Sequence, residues 1–280
     1  MTLVSTADLV AAARAAGTGV LAFNVITIEH AQAIAAAAQG AGRPAILQIS
    51  QNAARYHGGV SAIAAATADI AHRASADLAL HLDHVDDLNL LMQAPVAGFS
   101  SVMVDASALP YAENVATTRK AAEWTHDRGL WVEAELGYVG GKPDAPASAH
   151  AAGVRTDPAE AARYVAETGV DALAVAVGSS HAMAERTASL DLDLVTAIRD
   201  AVPVPLVLHG SSGVPLEQLR AAAARGMVKI NVGTALNVAF TDAVRGALPA
   251  SADPRRYLAA GREAMTDVVA ELLTVLSAAD

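Results

Sequence analysis

The sequence contains no cysteine, which excludes disulfides and thiolate metal sites, so any bound metal must rest on nitrogen and oxygen ligands. It has no uninterrupted apolar stretch of the roughly 20 residues a membrane span needs, although 53% of its residues are hydrophobic. Its start, MTLVSTADLVAAARAAG, lacks the basic residues and apolar core of a secretory signal and reads as a Ser/Thr-capped helix. Positive charge is also scarce: 19 Lys and Arg against 29 Asp and Glu give a net charge of −10, a balance unsuited to a phosphate backbone. These absences predict a cytoplasmic protein with neither a membrane nor a nucleic acid as partner. An anionic substrate needs local cationic or amide-lined pockets.

What is present is a regular alternation. Apolar, β-rich runs recur at 19–25, 44–50, 78–83, 100–105, 130–136, 172–178, 204–210 and 228–234. Between them lie alanine-rich stretches of helical periodicity, such as 28–42, 114–129, 157–169 and 215–226, several ending in a glycine suited to a helix C-cap. Eight strand–helix repeats predict a (β/α)8 TIM barrel, and 280 residues suit one such domain spanning 1–280. An extra C-terminal helical segment, 253–280, is left to pack outside the barrel or across a subunit interface. The long Gly/Pro/Ala/Ser-rich segment 137–158, between the fifth strand and its helix, is expected to be an active-site lid.

Of nine histidines, His84, His181 and His209 each follow a different apolar run, in LALHLDH, ALAVAVGSSH and VPLVLH. In a parallel barrel, ligands and catalytic groups gather at the carboxyl ends of the strands, where loops vary while the barrel stays rigid. Three such ends finishing in His are hard to obtain by chance, and they place three imidazoles around one metal ion.

The segments AFN (22–24), HLDH (81–84), SVMVD (101–105), VEAELG (132–137), VGSSH (177–181), LVLHGSSG (206–213), KINVGT (229–234) and DPRRYL (253–258) run in order along nearly the whole chain. Together they resemble the zinc-dependent class II ketose-bisphosphate aldolases, the fructose- and tagatose-bisphosphate aldolases. The resemblance implies reversible cleavage of a ketose 1,6-bisphosphate to dihydroxyacetone phosphate and an aldehyde. It implies one Zn²⁺ per subunit on His84, His181 and His209, acting as the Lewis acid for an enediolate. It implies that Asp83 exchanges a proton with the hydroxyl that becomes the aldehyde, the alternative being that Asp83 orients a ligand histidine. Asp105 and Glu135 offer the metal an alternative position or hold its histidines, and His81, two residues before Asp83, points the same way as a supporting group. The substrate-binding set is Asn24, Ser50, Gly178, Ala182, Gly210, Ser211, Ser212, Asn231, Val232, Gly233 and Thr234, and a monovalent cation, Na⁺ or K⁺, is expected at Gly178 and Ser179. A homodimer or homotetramer also follows from the resemblance.

Only Lys120, Lys142 and Lys229 occur, and only Lys229 falls on a predicted strand. The zinc-dependent family also shows a lysine there, so a Schiff-base mechanism is disfavoured. The chain departs from the family pattern at Ala182, Ala106 and Ala235, and in the lid, where Pro143 replaces a Glu and leaves Asp144 as the nearest candidate for the carbon-proton base. These changes fall on substrate-facing loops and predict a shifted substrate preference. Two other readings are a hydrolase, disfavoured because the first strand reads LAFN without an H-x-H pair, and a degenerate aldolase that binds sugar phosphates. An aldolase for another phosphorylated ketose is the remaining alternative.

Overall fold

The structure is a computed structural model that describes residues 3–137, 139 and 155–276. In chain order its elements are α1 (Thr6–Ala15), β1 (Val20–Asn24), α2 (Ile28–Ala41), β2 (Ala45–Ser50), α3 (Gln51–Tyr56), α4 (Ser61–Arg73), β3 (Leu78–Val85), α5 (Leu88–Leu91), β4 (Ser101–Val104) and α6 (Tyr111–His126). The second half continues with β5 (Trp131–Leu136), α7 (Pro158–Thr168), β6 (Ala172–Val175), α8 (Leu192–Ala201), β7 (Leu206–Leu208), α9 (Leu216–Arg225), β8 (Met227–Val232), α10 (Thr234–Ala247) and α11 (Pro254–Val275). The eight strands pair in parallel in sequence order, and β8 closes on β1. This is the expected TIM barrel.

Alternation divides each strand between two cores. On β3, Leu78, Leu80 and Leu82 face the helices and join the large outer core. Ala79, His81 and Asp83 face the barrel axis. At the amino-terminal end of the barrel the axial layer is apolar, with Val20, Ala22, Ile46, Ala79 and Val228 packed under Leu9, Val10 and Ala13 of α1. Helix α1 therefore plugs that end, held by an Ser5 cap whose side chain accepts from Asp8 N–H at 3.0 Å. Above this layer the axis turns polar: Gln48, His81, Ser101, Glu133 and Lys229 are all buried. A closed lower end and a polar middle leave the carboxyl end as the open face.

The C-terminal segment settles on the chain's own barrel. Helix α11 packs on α2 and α10, burying Met265, Val269, Leu272 and Leu273. Gly261 permits the close approach, since a Cβ there would meet the Phe240 ring at 2.5 Å. Strand boundaries shift by a few residues from the expected runs, most in the sixth, which ends at Val175 and not at 178, and in the seventh, which ends at Leu208. His181 thus stands on the loop after β6. Lys142, Pro143 and Asp144, and with them the expected lid base, lie outside the described residues.

Candidate metal and substrate site

Strict alternation would send Asp83 into the barrel and His84 out of it. The structure resolves this with an irregularity in β3: Leu82 pairs with Val102, but the next pair is Val85 with Val104, so β3 carries one residue more than β4. His84 sits in that bulge with φ +52°, a left-handed conformation. The extra residue turns both Asp83 and His84 toward the open end. A non-glycine residue held there costs about 1–2 kcal/mol, a strain that surrounding contacts must maintain. His84 Nδ1–H donates to Asp105 Oδ2 at 2.8 Å, and Ser107 Oγ donates to Asp105 Oδ1 at 2.6 Å. Asp105 therefore orients the His84 ring.

His209, fully buried one residue beyond β7, is held from below. Its Nε2–H donates to Glu133 Oε1 at 2.9 Å, and Lys229 Nζ pairs with Glu133 Oε2 at 2.9 Å. Burial raises the Glu133 carboxyl, but Lys229 and His209 outweigh it and bring its pKa down to about 2. Lys229 Nζ also donates to Asn231 Oδ1 at 2.8 Å. One buried lysine thus links the group behind His209 to a residue of the substrate loop. Burial disfavours a charged His209 ring, yet Glu133 and Glu135 push its pKa up to about 9. That demand for positive charge falls at Nδ1, where Glu135 Oε2 stands 3.1 Å away.

Asp83 is buried between two rings, with Oδ1 3.6 Å from His81 Nε2 and Oδ2 3.8 Å from His84 Nε2. Burial opposes its charge, but His84, His81 and Lys229 together hold the carboxyl well below the usual range. His81 is anchored on its other side, Nδ1 lying 2.8 Å from Ser101 Oγ, which donates to Thr6 Oγ1 at 2.6 Å. Burial and Lys229 lower the His81 pKa, which keeps the ring neutral.

The three histidines meet the requirements of a metal. One ring nitrogen from each of His84, His181 and His209 lies within 4.8 Å of the other two. His84 and His209 each spend one nitrogen on a carboxylate, which fixes the ring and turns the other nitrogen inward, the usual support for a metal-ligating imidazole. His209 Nδ1 is buried and faces Glu135 Oε2 at 3.1 Å. Three imidazoles are a donor set of the kind that would hold a catalytic zinc and leave open positions for substrate.

A cavity of about 1100 Å³ opens above these groups. Its walls bring together Asn24, Ser50, Asp83, His84, Asp105 and His181 with Ala182, Gly210, Ser212, Asn231, Gly233 and Thr234. Thr234 begins α10 at the cavity; its Gly233 cap supplies no side chain, and Ser212 Oγ takes that part by accepting from Ala235 N–H at 3.1 Å. Gly210 has φ +65° and touches Ser180 and His181 so closely that a Cβ would lie 2.5 Å from Ser180 C. Ala182 occupies φ +61°, so the family's glycine position does require a left-handed backbone.

Three expected binding residues do not reach this cavity. Ser211 is buried and donates its hydroxyl to Asn231 O, tying the β7 and β8 loops together. Val232 points outward into the helix-side core, and Gly178 lies behind the loop leading to His181. Glu133 and Arg55 were not foreseen. Alternation along WVEAEL places Glu133 beside Glu135 on the axis, so the signal for it was present. Arg55, on the last turn of α3, lines the cavity and pairs with Asp86 at 3.2 Å, while Gln51 Nε2 holds the same carboxylate at 2.5 Å. Nothing in its local sequence marked it.

The Fructose-bisphosphate aldolase class-II family profile matches residues 4–280. The chain belongs to the class-II fructose-bisphosphate aldolase family. It is 39% identical over 274 residues to the fructose-bisphosphate aldolase of Geobacillus stearothermophilus, covering 96% of this chain and 95% of that protein. It is also 39% identical over 275 residues to the fructose-bisphosphate aldolase of Staphylococcus aureus strain Mu50, with the same coverage. The crystal structure of the YdjI aldolase from Escherichia coli K12 superposes with a TM-score of 0.84 at 28% identity, covering 99% of this chain and 98% of that one. The class-II aldolase assignment makes the chain a lyase of carbohydrate metabolism, in a family that acts on sugar phosphates and is generally zinc-dependent. No helix among the described residues of this aldolase is long and apolar enough to cross a membrane.

Proposed function

We propose that this aldolase reversibly splits a ketose 1,6-bisphosphate into dihydroxyacetone phosphate and glyceraldehyde 3-phosphate with one Zn²⁺ on His84, His181 and His209. The observation that carries the reading is the triangle of three imidazole nitrogens within 4.8 Å, with the Asp83 carboxylate beside it. A zinc ion held there supplies the Lewis-acid charge that a developing oxyanion needs in the absence of a Schiff-base lysine. Lys229 is unsuited to that alternative because its ammonium is already committed to Glu133 and Asn231.

Asp83 acts as the base that takes the proton from the hydroxyl becoming the aldehyde, and returns it in condensation. Its depressed pKa keeps it anionic and ready to accept. Asp105 and Glu133 hold the rings of His84 and His209, and Glu135, beside His209 Nδ1, is placed to offer the metal a further oxygen. One phosphate lies against Gly210, Ser212, Gly233 and Thr234, using backbone N–H groups and the start of α10. Ser211 and Val232 contribute only backbone and spacing. The second phosphate lies on the far side, where Ser50 and Arg55 line the wall. Asn24 and Asn231 orient the sugar between them.

Fructose 1,6-bisphosphate is the substrate favoured by the names of the 39%-identical relatives, with tagatose 1,6-bisphosphate its test competitor. The enzyme acts as a homodimer or homotetramer. The experiment is triose-phosphate release from both sugars, with wild type and His209→Ala. Chelator-sensitive cleavage by the wild type, restored by Zn²⁺ and absent in His209→Ala, is the expected result. Full activity of metal-free His209→Ala contradicts the zinc assignment, and a metal-loaded wild type that cleaves neither sugar contradicts the substrate.

A further inference from the structure

The loops that receive the phosphate carry no lysine or arginine of their own: residues 176–183, 209–214 and 231–235 contain none. A phosphate dianion in a cleft gains most from a donor that is itself charged. A guanidinium does stand behind the loop after β6, from a different part of the chain. Thr156 ties the approach to α7 onto two strand ends, donating its N–H to Ala176 O at 3.1 Å and its hydroxyl to Leu136 O at 2.6 Å, and accepting from Ala176 N–H at 2.8 Å. That anchoring places the preceding residue, Arg155, against the loop after β6.

There the guanidinium lies on the bare Cα of Gly178. A Cβ at Gly178 would meet Ser189 O at 2.3 Å and Arg155 Nη1 at 2.5 Å, so the backbone of Ser189 and φ +124° require glycine and the guanidinium packs against it. Among the described residues, Arg155 Nη1 is shielded from solvent without a hydrogen-bond acceptor, and the buried hydroxyl of the adjoining Ser179 has no partner either. Two orphaned polar groups flanking one peptide, one of them cationic, are costly unless an anion or its hydration completes them. Gly178 and Ser179 are also where a monovalent cation was expected. A guanidinium in contact with Gly178 repels such an ion and makes it unnecessary.

We propose that Arg155, packed behind Gly178, supplies the fixed positive charge for the phosphoryl group of the sugar phosphate in place of a Na⁺ or K⁺ ion. This rests on the aldolase reading above. Because Arg155 does not line the cavity, it is a positioning residue that acts through the Gly178–Ser179 loop.

The test is steady-state cleavage of fructose 1,6-bisphosphate by wild type, Arg155→Met and Arg155→Lys, with tetramethylammonium replacing alkali cations and K⁺ then added back. Wild type is expected to be indifferent to K⁺. Arg155→Met should show KM raised by about tenfold, the scale of removing one fixed charge several ångströms from an anion, with kcat little changed and KM partly restored by K⁺. Arg155→Lys should lie between the two. A wild type that requires Na⁺ or K⁺ overturns the proposal, as does an Arg155→Met enzyme with wild-type KM. If Arg155→Met does not fold, an unchanged KM in Arg155→Lys overturns it and a raised one supports it. If the wild type cleaves neither sugar, the aldolase reading has failed separately, and thermal stabilisation by inorganic phosphate then decides. It should be present in wild type and weakened in Arg155→Lys, and equal stabilisation overturns the proposal.

Discussion

Glu133 shows how much of this site depends on a residue that touches no substrate. Its carboxylate is fully buried, holds His209 through Nε2 and neutralises Lys229, so it supports the proposed metal site and the barrel interior together. Glu133→Gln should lower zinc affinity by about 10–100-fold, the usual effect of losing a ring-orienting carboxylate. It should also destabilise the fold by about 3–5 kcal/mol, because Lys229 becomes a buried charge without a counter-ion. Chelator competition and urea unfolding measure the two effects, and an unchanged zinc affinity contradicts the role given to Glu133. Ala182 tests the opposite case, a residue that departs from the family at a strained position. With φ at +61°, Ala182→Gly should relieve left-handed strain and raise stability by roughly 0.5 kcal/mol after the entropy cost of glycine. A loss of stability in urea unfolding would show that the Ala182 methyl group makes a compensating contact.

At the scale of elements, the alternation of apolar runs and alanine-rich helices was legible in the sequence because the signals are long and repeat eight times. Loop conformation was not. Nothing in LALHLDHV announces the bulge at His84, since a one-residue shift between neighbouring strands depends on how β3 and β4 pair. The three histidines were legible because each follows an apolar run, yet His181 stands six residues past Val175, which ends β6. Arg55 and Arg155 were not, since an arginine's reach is set by tertiary packing. Helix α11 illustrates a choice left open by the sequence: an amphipathic helix reads alike whether it covers its own barrel or a partner. Here the contact at Gly261 decides. Gly261→Leu should push α11 away from Phe240 and cost about 1–3 kcal/mol by overpacking. A thermal melting curve indistinguishable from wild type would mean that α11 is not seated against α10 as described.

The whole molecule separates stability from chemistry along the barrel axis. The amino-terminal end is apolar and closed by α1, the middle holds a buried network around Lys229 and Glu133, and the carboxyl end opens into the cavity. The chain carries a net charge of −10, so the proposed reading draws the positive charge an anionic substrate needs from a few points, namely the proposed metal site, Arg55 and Arg155. The most direct test of this account is the cleavage of fructose 1,6-bisphosphate by purified protein of known metal content, before and after chelation. The account predicts about one zinc per chain and cleavage that disappears with the metal and returns when Zn²⁺ is added back. Undiminished cleavage by protein stripped of metal would contradict it.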